Sequence, residues 1–430
     1  MTQDSSNDLT PQQVWELIDQ RISSIAQNPA AHDPALQECL PLLQALDRVL
    51  AQDVTSPLDV PPHHNSAMDG YAFMGSALGQ TSSEDVQLQV VGTALAGKAW
   101  SGAVSAGQCV RITTGAVMPA GLDTVVPQEM VQPVQLAAPP HAIRFKTAKL
   151  KAGANRRLKG EDVAQGSVAL HQGQRLNPAA LGLMASLGLA QAVVYRRLKV
   201  AYFSTGDELL TLGEPPREGA LYDSNRYSVL GLLSRLGCEV LDLGVVRDDP
   251  LQLQAAFEQA SAQADAIITS GGVSVGDADF TKTLMKELGD VAFWRIAMKP
   301  GRPMAIGRMG QAVWFGLPGN PVAVMVTFLA LVRPALLKLM GLRNQDIGGP
   351  PMLKARSAEA ISKKPGRTEY LRVSVTRHHD GQLQVAPTGL QGSGMLSSMV
   401  QAHGLMVLPH HQGNVAIGDE VDVMMFEGFM

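Results

Sequence analysis

The chain of 430 residues has few cysteines, a modest share of charge and no long apolar run. Its three cysteines (Cys39, Cys109, Cys238) lie far apart, with no CxxC pair and no histidine cluster at zinc spacing, which excludes a disulfide scaffold or a zinc module. They read as reduced structural thiols of a cytoplasm-like compartment. The N-terminus MTQDSSND lacks the basic stretch and apolar core of a secretory signal. No stretch of eighteen apolar residues occurs. The best candidate, VAVMVTFLALV (322–332), is short and runs into Arg333-Pro334, so a soluble protein without a membrane span is expected. A formal net charge of −4 argues against general nucleic-acid affinity, because phosphate-backbone binders carry a clustered basic excess. With 45% hydrophobic and 17% charged residues the composition is globular, and the length suggests about three domains.

Local signals divide the chain. Thr10 is placed to cap a helix, with Pro11 at its first position and Gln13 completing a capping box. Val14, Leu17, Ile18, Ile22 and Ile25 follow on one face. A second helix is expected over Pro41–Gln52, burying Leu42, Leu46, Val49 and Leu50. Between Thr55 and Lys151, alternations such as VQLQVVGTAL (86–95) and CVRITTGAV (109–117), broken by Gly and Pro, suggest a small inserted β domain. NPAALGLMASLGL (177–189) resumes helical character. The expected division is a helical N-terminal domain (8–54 and 152–197), the insertion (55–151), an α/β domain (198–345) and a C-terminal β domain (346–430). In the α/β part, strands are expected at 199–204, 238–246, 265–270, 291–297 and 312–317, forming a mostly parallel sheet. A helix over 223–236 ends at Gly237.

Five tight turns follow apolar segments in this part: STGDEL (204–209), VVRDDP (245–250), SGGVSVG (270–276), MKPGRP (298–303) and LPGNP (317–321). Open α/β sheets bind ligands outside the carboxyl ends of their strands, so these turns describe one crevice. Asp207-Glu208, Asp248-Asp249 and Asp277 with Asp279 would repel one another on that rim, and hard oxygen ligands suit Mg²⁺. The plain alternative for any one of them is a helix N-cap. Ser270, Gly271, Gly272 and Ser274 belong to a loop able to form an anion nest, although a glycine-rich turn alone is weak evidence. The loop does not match GxxxxGK[ST], so P-loop chemistry is not implied. Lys299 and Arg302 can bring positive charge to a phosphate or oxyanion. Asn320 is explained by capping alone, with Pro321 opening a helix. In the insertion, HHNSAMDGYAF (63–73) and RITTGAVMPAG (111–121) hold Asn65, Ser66, Asp69, Thr113 and Thr114 among Gly and Met. His63 and His64 read as surface residues.

NSAMDGYA, TTGAVMPAG, KGEDV, STGDEL, YDSNR, DDP, SGGVSVGDAD, MKPGRP and LPGNP occur in the order and spacing of the MoeA family, and the resemblance runs from about residue 8 to the C-terminus. Departures are His63-His64 before Asn65, Leu122 where Ala is commoner, and a looser KAGANRR segment. The resemblance, shared with the gephyrin E domain, implies a MogA-like α/β domain that binds molybdopterin, a C-terminal β barrel and a cytoplasmic homodimer. It implies a molybdopterin molybdenumtransferase, in which adenylylated molybdopterin is cleaved with Mg²⁺ and molybdate, AMP leaves and molybdenum enters the dithiolene. Asp69, Thr114, Glu208, Asp248 and Asp279 match family functional positions, as do Pro318 and Pro321 of the LPGNP turn. Glu208, Asp248 and Asp279 would hold Mg²⁺, while Ser270, Gly271, Gly272, Ser274, Lys299 and Arg302 would meet oxyanions. Implied partners are a molybdopterin adenylyltransferase and acceptor molybdoenzymes. Two alternatives stay open: adenylylation of molybdopterin by the same α/β fold, and a non-catalytic scaffold.

Overall fold

The computed structural model describes residues 8–26, 36–79, 85–134, 141–272, 289–343, 345, 347 and 351–426. At its centre lies a six-stranded sheet in the order Glu239–Val246, Lys199–Thr205, Ala266–Ser270, Ala312–Leu317, Pro303–Met309, Gly289–Arg295. The first four strands run parallel and the last two are added antiparallel. Ala266–Ser270 and Ala312–Leu317 are buried along their whole length, as expected for parallel strands covered on both faces. The two-residue period sorts their side chains between two cores. Val200, Tyr202, Ile268 and Phe315 face the helices Ser224–Leu236 and Pro321–Leu339. Ala201, Phe203, Ile267 and Trp314 face the helix Pro250–Gln263. On that second face Phe257 meets Phe203 edge-on at 5.1 Å and Trp314 at 5.6 Å. Such pairs add about 0.5–1.5 kcal/mol each beyond the area they bury.

The anticipated capping of the first helix, Pro11–Ala26, is present. Thr10 N–H donates to Gln13 Oε1 at 2.8 Å and Gln13 N–H donates to Thr10 Oγ1 at 3.3 Å. Val14, Ile18 and Ile22 enter the core of the α/β sheet. The helix Ser224–Leu236 ends at Gly237 with φ +81°, the left-handed conformation that favours glycine.

The expected helix at Pro41–Gln52 is not formed. Gln37–Pro41 is instead a strand paired with Gln191–Tyr195, Leu42–Ala45 makes a single 3₁₀ turn, and Asp47 adopts φ +62°. Leu46, placed on the buried side from the sequence, is 41% exposed. Pairing with a strand about 150 residues away outweighs a weak local preference, and a left-handed residue ends any helix. The expected strand at 291–297 is Gly289–Arg295, and the antiparallel strand Pro303–Met309, concealed behind the MKPGRP turn, was not anticipated.

The apolar run 322–332 belongs to a longer element that does not stop at Arg333-Pro334. The helix continues through them as Pro321–Leu339, and by length and composition it could cross a membrane, but 72% of its apolar window is buried inside the protein. It is a core helix. A π turn over Phe328–Val332 stands just upstream of Pro334, where the wider register accommodates a ring that cannot donate a hydrogen bond.

The inserted segment folds as a six-stranded sheet in the order Thr124–Pro127, Gly70–Phe73, Gln108–Ile112, Asp85–Ala94, Ala142–Lys146, Val131–Val134. In the C-terminal region Thr368–Arg377, Leu383–Pro387, Met352–Ser357, Glu420–Met425 and Gly404–Leu408 close into a five-stranded barrel. The pair Met298–Lys299 adds to Thr368–Glu369, so the MKPGRP turn is attached to the barrel.

Phe257→Ala removes both edge-on partners of a residue only 2% exposed. It is expected to destabilise the α/β part by about 3–5 kcal/mol in urea titrations followed by tryptophan fluorescence.

Candidate active site

Two neighbouring strands of the sheet send their following segments to opposite sides. After Lys199–Thr205 the chain moves to the edge strand Glu239–Val246, then returns across to Ala266–Ser270. The switch point of this order lies between Lys199–Thr205 and Ala266–Ser270. Beside it, at the carboxyl ends of Lys199–Thr205 and Glu239–Val246, is a cavity of about 670 Å³, lined by polar residues that include Asp207, Thr211, Glu214, Arg217, Arg247 and Asp248.

Gly206, with φ +147°, lets the acidic loop turn back on itself. A Cβ at this position would lie 2.5 Å from Glu208 Oε2. Asp249 is occupied as an N-cap, accepting from Gln252 N–H at 3.0 Å, with Pro250 opening the helix. This capping explanation therefore holds for Asp249 and not for Asp248. Partial desolvation by the loop raises the Asp248 carboxyl above its ordinary range, and the charges of Asp207 and Glu208 add to the effect. Asp207, Glu208 and Asp248 thus form one acidic rim. Facing it, Arg247 approaches Asp207 at 3.9 Å and Arg217 donates to the Asp207 carbonyl at 2.7 Å. Neither arginine was singled out from the sequence, although Arg247 directly precedes the Asp248-Asp249 pair. Glu214 is held below the usual carboxylate range by hydrogen bonds from the Thr211 hydroxyl and backbone.

Among the described residues no group of three or more His, Cys, Asp or Glu side chains is gathered for a metal. Glu208 and Asp248 nonetheless suit a hard cation by donor type, and a cation would offset the desolvation and the neighbouring like charge that raise the Asp248 carboxyl. Asp279, the expected third ligand, lies outside the described residues, as do Asp277 and Ser274.

The glycine turn begins at Ser270, whose hydroxyl is 1% exposed and bonded to Tyr202 and Ser204. Gly271 and Gly272 take φ +89° and +68°, and a Cβ on Gly271 would lie 2.4 Å from the Thr205 carbonyl. Only glycine fits there. Lys299 lies 3.9 Å from the buried Glu369, and Arg302 pairs with Asp8 at 2.8 Å, so both cations already have carboxylate partners. The LPGNP turn is held from the side, Asn225 Nδ2 donating to the Gly319 carbonyl at 2.7 Å. Asn320 occupies the N-cap position before Pro321 without a side-chain capping bond, so capping does not account for its amide. Pro318 and Pro321 flank this turn.

On the inserted sheet, residues 45 apart meet: Thr114 donates to Asp69 Oδ1 through its backbone N–H at 2.6 Å and its hydroxyl at 2.8 Å. The backbone bond first, then the hydroxyl, lowers the Asp69 carboxyl below its ordinary value. Gly70 packs so closely that a Cβ would lie 2.0 Å from the Val126 carbonyl. The Asp69–Thr114 pair is exposed, and among the described residues no hydrogen bond or ion pair joins it to the crevice. His64 Nδ1 accepts the Lys159 backbone N–H at 2.9 Å.

Since Asp69 titrates lower when folded, its contact contributes stability above the unfolded pKa of about 3.9 and loses it as pH falls through the folded value. A carboxyl-carbon NMR titration is expected to give an Asp69 midpoint below about 3.9 that returns toward that value in Thr114→Val, which keeps the backbone donor but loses the hydroxyl.

Three family models match in order: "MoeA N-terminal region (domain I and II)" over residues 9–188, "Probable molybdopterin binding domain" over 201–338, and "MoeA C-terminal region (domain IV)" over 354–426. The chain is 42% identical over 393 residues to a molybdopterin molybdenumtransferase of Haemophilus influenzae, covering 91% of this chain and 95% of the relative. It is 37% identical over 393 residues to the protein of that name from Nostoc, covering 90% and 88%. Among solved structures, a molybdopterin biosynthesis MoeA protein from Pyrococcus horikoshii superposes with a TM-score of 0.77 at 26% identity, covering 97% of this chain and 100% of that one. On these matches, which extend over nearly its whole length, the chain belongs to the MoeA family.

Proposed function

We propose that this protein is a molybdopterin molybdenumtransferase that takes adenylylated molybdopterin and molybdate, releases AMP and inserts molybdenum into the dithiolene. The observation that carries this reading is the cavity beside the switch point of the sheet, where Asp207 and Asp248, with Glu208 adjoining, stand next to Arg217 and Arg247. A phosphoanhydride needs both signs of charge, cations for its oxygens and acids for an accompanying metal. The names of the relatives supply the rest of the reading.

Glu208 and Asp248, with Asp279, would hold Mg²⁺, which when bound supplies positive charge against the phosphoanhydride as AMP departs. Arg217 and Arg247 orient and balance the phosphates. The Gly271 N–H is donated to the Leu317 carbonyl at 3.3 Å, so the oxyanion falls to the Gly272 N–H at the root of the loop carrying Ser274. Lys299, half exposed beside Glu369, keeps ammonium hydrogens for molybdate, whereas Arg302 mainly anchors Asp8. Pro318 and Pro321 give the LPGNP turn a fixed shape against the substrate. The protein would act as a cytoplasmic homodimer in which the inserted sheet of one subunit closes the crevice of the other, giving the exposed Asp69–Thr114 pair a place in the reaction. A molybdopterin adenylyltransferase would supply the substrate and acceptor molybdoenzymes would take the product.

The test is incubation of purified protein with adenylylated molybdopterin, Mg²⁺ and molybdate, scoring AMP release and activation of an apo-molybdoenzyme. Asp248→Asn and Glu208→Gln are expected to slow AMP release at limiting Mg²⁺ by roughly 100-fold. Asp248→Asn should leave Tm unchanged or higher, because it removes like charge from the rim. Wild-type rates in both variants would refute the metal-holding role. ATP-dependent adenylylation of molybdopterin, without molybdate-dependent AMP release, would transfer the protein to the sister activity.

A further inference from the structure

Tyr202 is completely buried on the sheet face that packs against the helices Ser224–Leu236 and Pro321–Leu339, a place where a phenylalanine ring would pack equally well. What distinguishes it is the hydroxyl. It lies 2.8 Å from Ser204 Oγ and 2.8 Å from Ser270 Oγ, and the two serine oxygens are 3.1 Å apart. Ser204 and Ser270 are register partners on adjacent parallel strands and are 0% and 1% exposed. Three hydroxyls carry three protons, so a closed ring in which each donates once and accepts once uses every donor. Burial holds the phenol far above its ordinary pKa, which keeps it protonated as a permanent member of the ring.

The location gives this ring a consequence beyond packing. Ser204 precedes the acidic loop Gly206-Asp207-Glu208 by two residues, and Ser270 directly precedes the left-handed pair Gly271-Gly272. The ring therefore joins the root of the acidic loop, which lines the cavity, to the root of the glycine turn, which packs against it at the Thr205 carbonyl. Three apolar groups of the same shape would fill the space at little cost in stability, whereas hydroxyls fix direction as well as distance.

We propose that Tyr202 is a positioning residue: through Ser204 and Ser270 it sets the spacing between the acidic loop and the glycine turn, and so the fit of the crevice to the phosphoanhydride end of its substrate. This rests on the proposed transferase reaction.

The full-length protein is compared with Tyr202→Phe, Ser270→Ala, their double variant and the triple variant Y202F/S204A/S270A, in Tm, in kcat and KM for AMP release from adenylylated molybdopterin, and in amide hydrogen exchange. Tyr202→Phe is expected to raise KM about fivefold to tenfold with kcat within about twofold, and to speed exchange at residues 206–208 and 271–272 roughly tenfold while the rest of the sheet is unchanged. The double variant should cost no more in KM than either single change, since both break one ring. The triple variant, which leaves no orphan hydroxyl, should keep wild-type Tm but not wild-type KM. Wild-type KM and exchange in Tyr202→Phe, or full recovery of both in the triple variant, would overturn the proposal and leave the ring a packing feature. A wild-type protein inert toward adenylylated molybdopterin would refute the proposed reaction instead, and the exchange data would still decide whether the ring positions the loops.

Discussion

Two strands buried on both faces, Ala266–Ser270 and Ala312–Leu317, with Lys199–Thr205 almost fully buried beside them, are the constraint on which the crevice depends. Their ladders keep the three carboxyl ends in register, and their side chains lock into helices above and below. A one-residue slip would exchange the two cores and turn Phe203 and Trp314 toward the wrong helices. Because that slip is so costly, the loops leaving the strand ends start from fixed points. The acidic loop, the glycine turn and the LPGNP turn inherit their relative positions from the sheet, and Asn225 adds a tie to the last of them.

Charge in the crevice is arranged against stability. Desolvation first, then the charges of Asp207 and Glu208, raises the Asp248 carboxyl, and Arg247 comes within 3.9 Å of Asp207 on the exposed side. Such clusters are common where a site must receive a cation and an anion together. Elsewhere the molecule places its ions differently: Arg196 grips Asp265 with two bonds of 2.7–2.8 Å at the root of the sheet, and Asp8 gathers Arg295 and Arg302 beneath the MKPGRP turn. Arg302 shows how a cation in a turn near the crevice can be committed to architecture.

Features written in neighbouring residues were legible in the sequence. The capping box at Thr10 and Gln13, the helix ending at Gly237 and the N-cap at Asp249 all follow from contacts within a few residues. The acidic rim was legible as a pattern because carboxylates follow strand ends. The Pro41–Gln52 segment was misjudged because its apolar spacing satisfies a helix, while its strand partner at Gln191–Tyr195 is remote. How far the helix opened by Pro321 would run was not legible, because Pro334 ordinarily ends a helix and the π turn that carries it through to Leu339 is invisible in the residue pattern. Tyr202 reads from sequence as one more core aromatic; only the meeting of two strands gives its hydroxyl two serines.

The sequence by itself determined the alternation of strands and helices, the turn chemistry at the strand ends and the family to which the chain belongs, since these depend on periodicity, on glycine and proline, and on motifs in order. Only the tertiary structure decided which charges remain at the crevice. It assigned Asp249 to a cap, Arg302 to Asp8 and Ser270 to a buried hydroxyl ring, and it brought Arg217 and Arg247 to the rim. The physical reason is that a polar group's role depends on which partner satisfies it, and those partners come from distant parts of the chain.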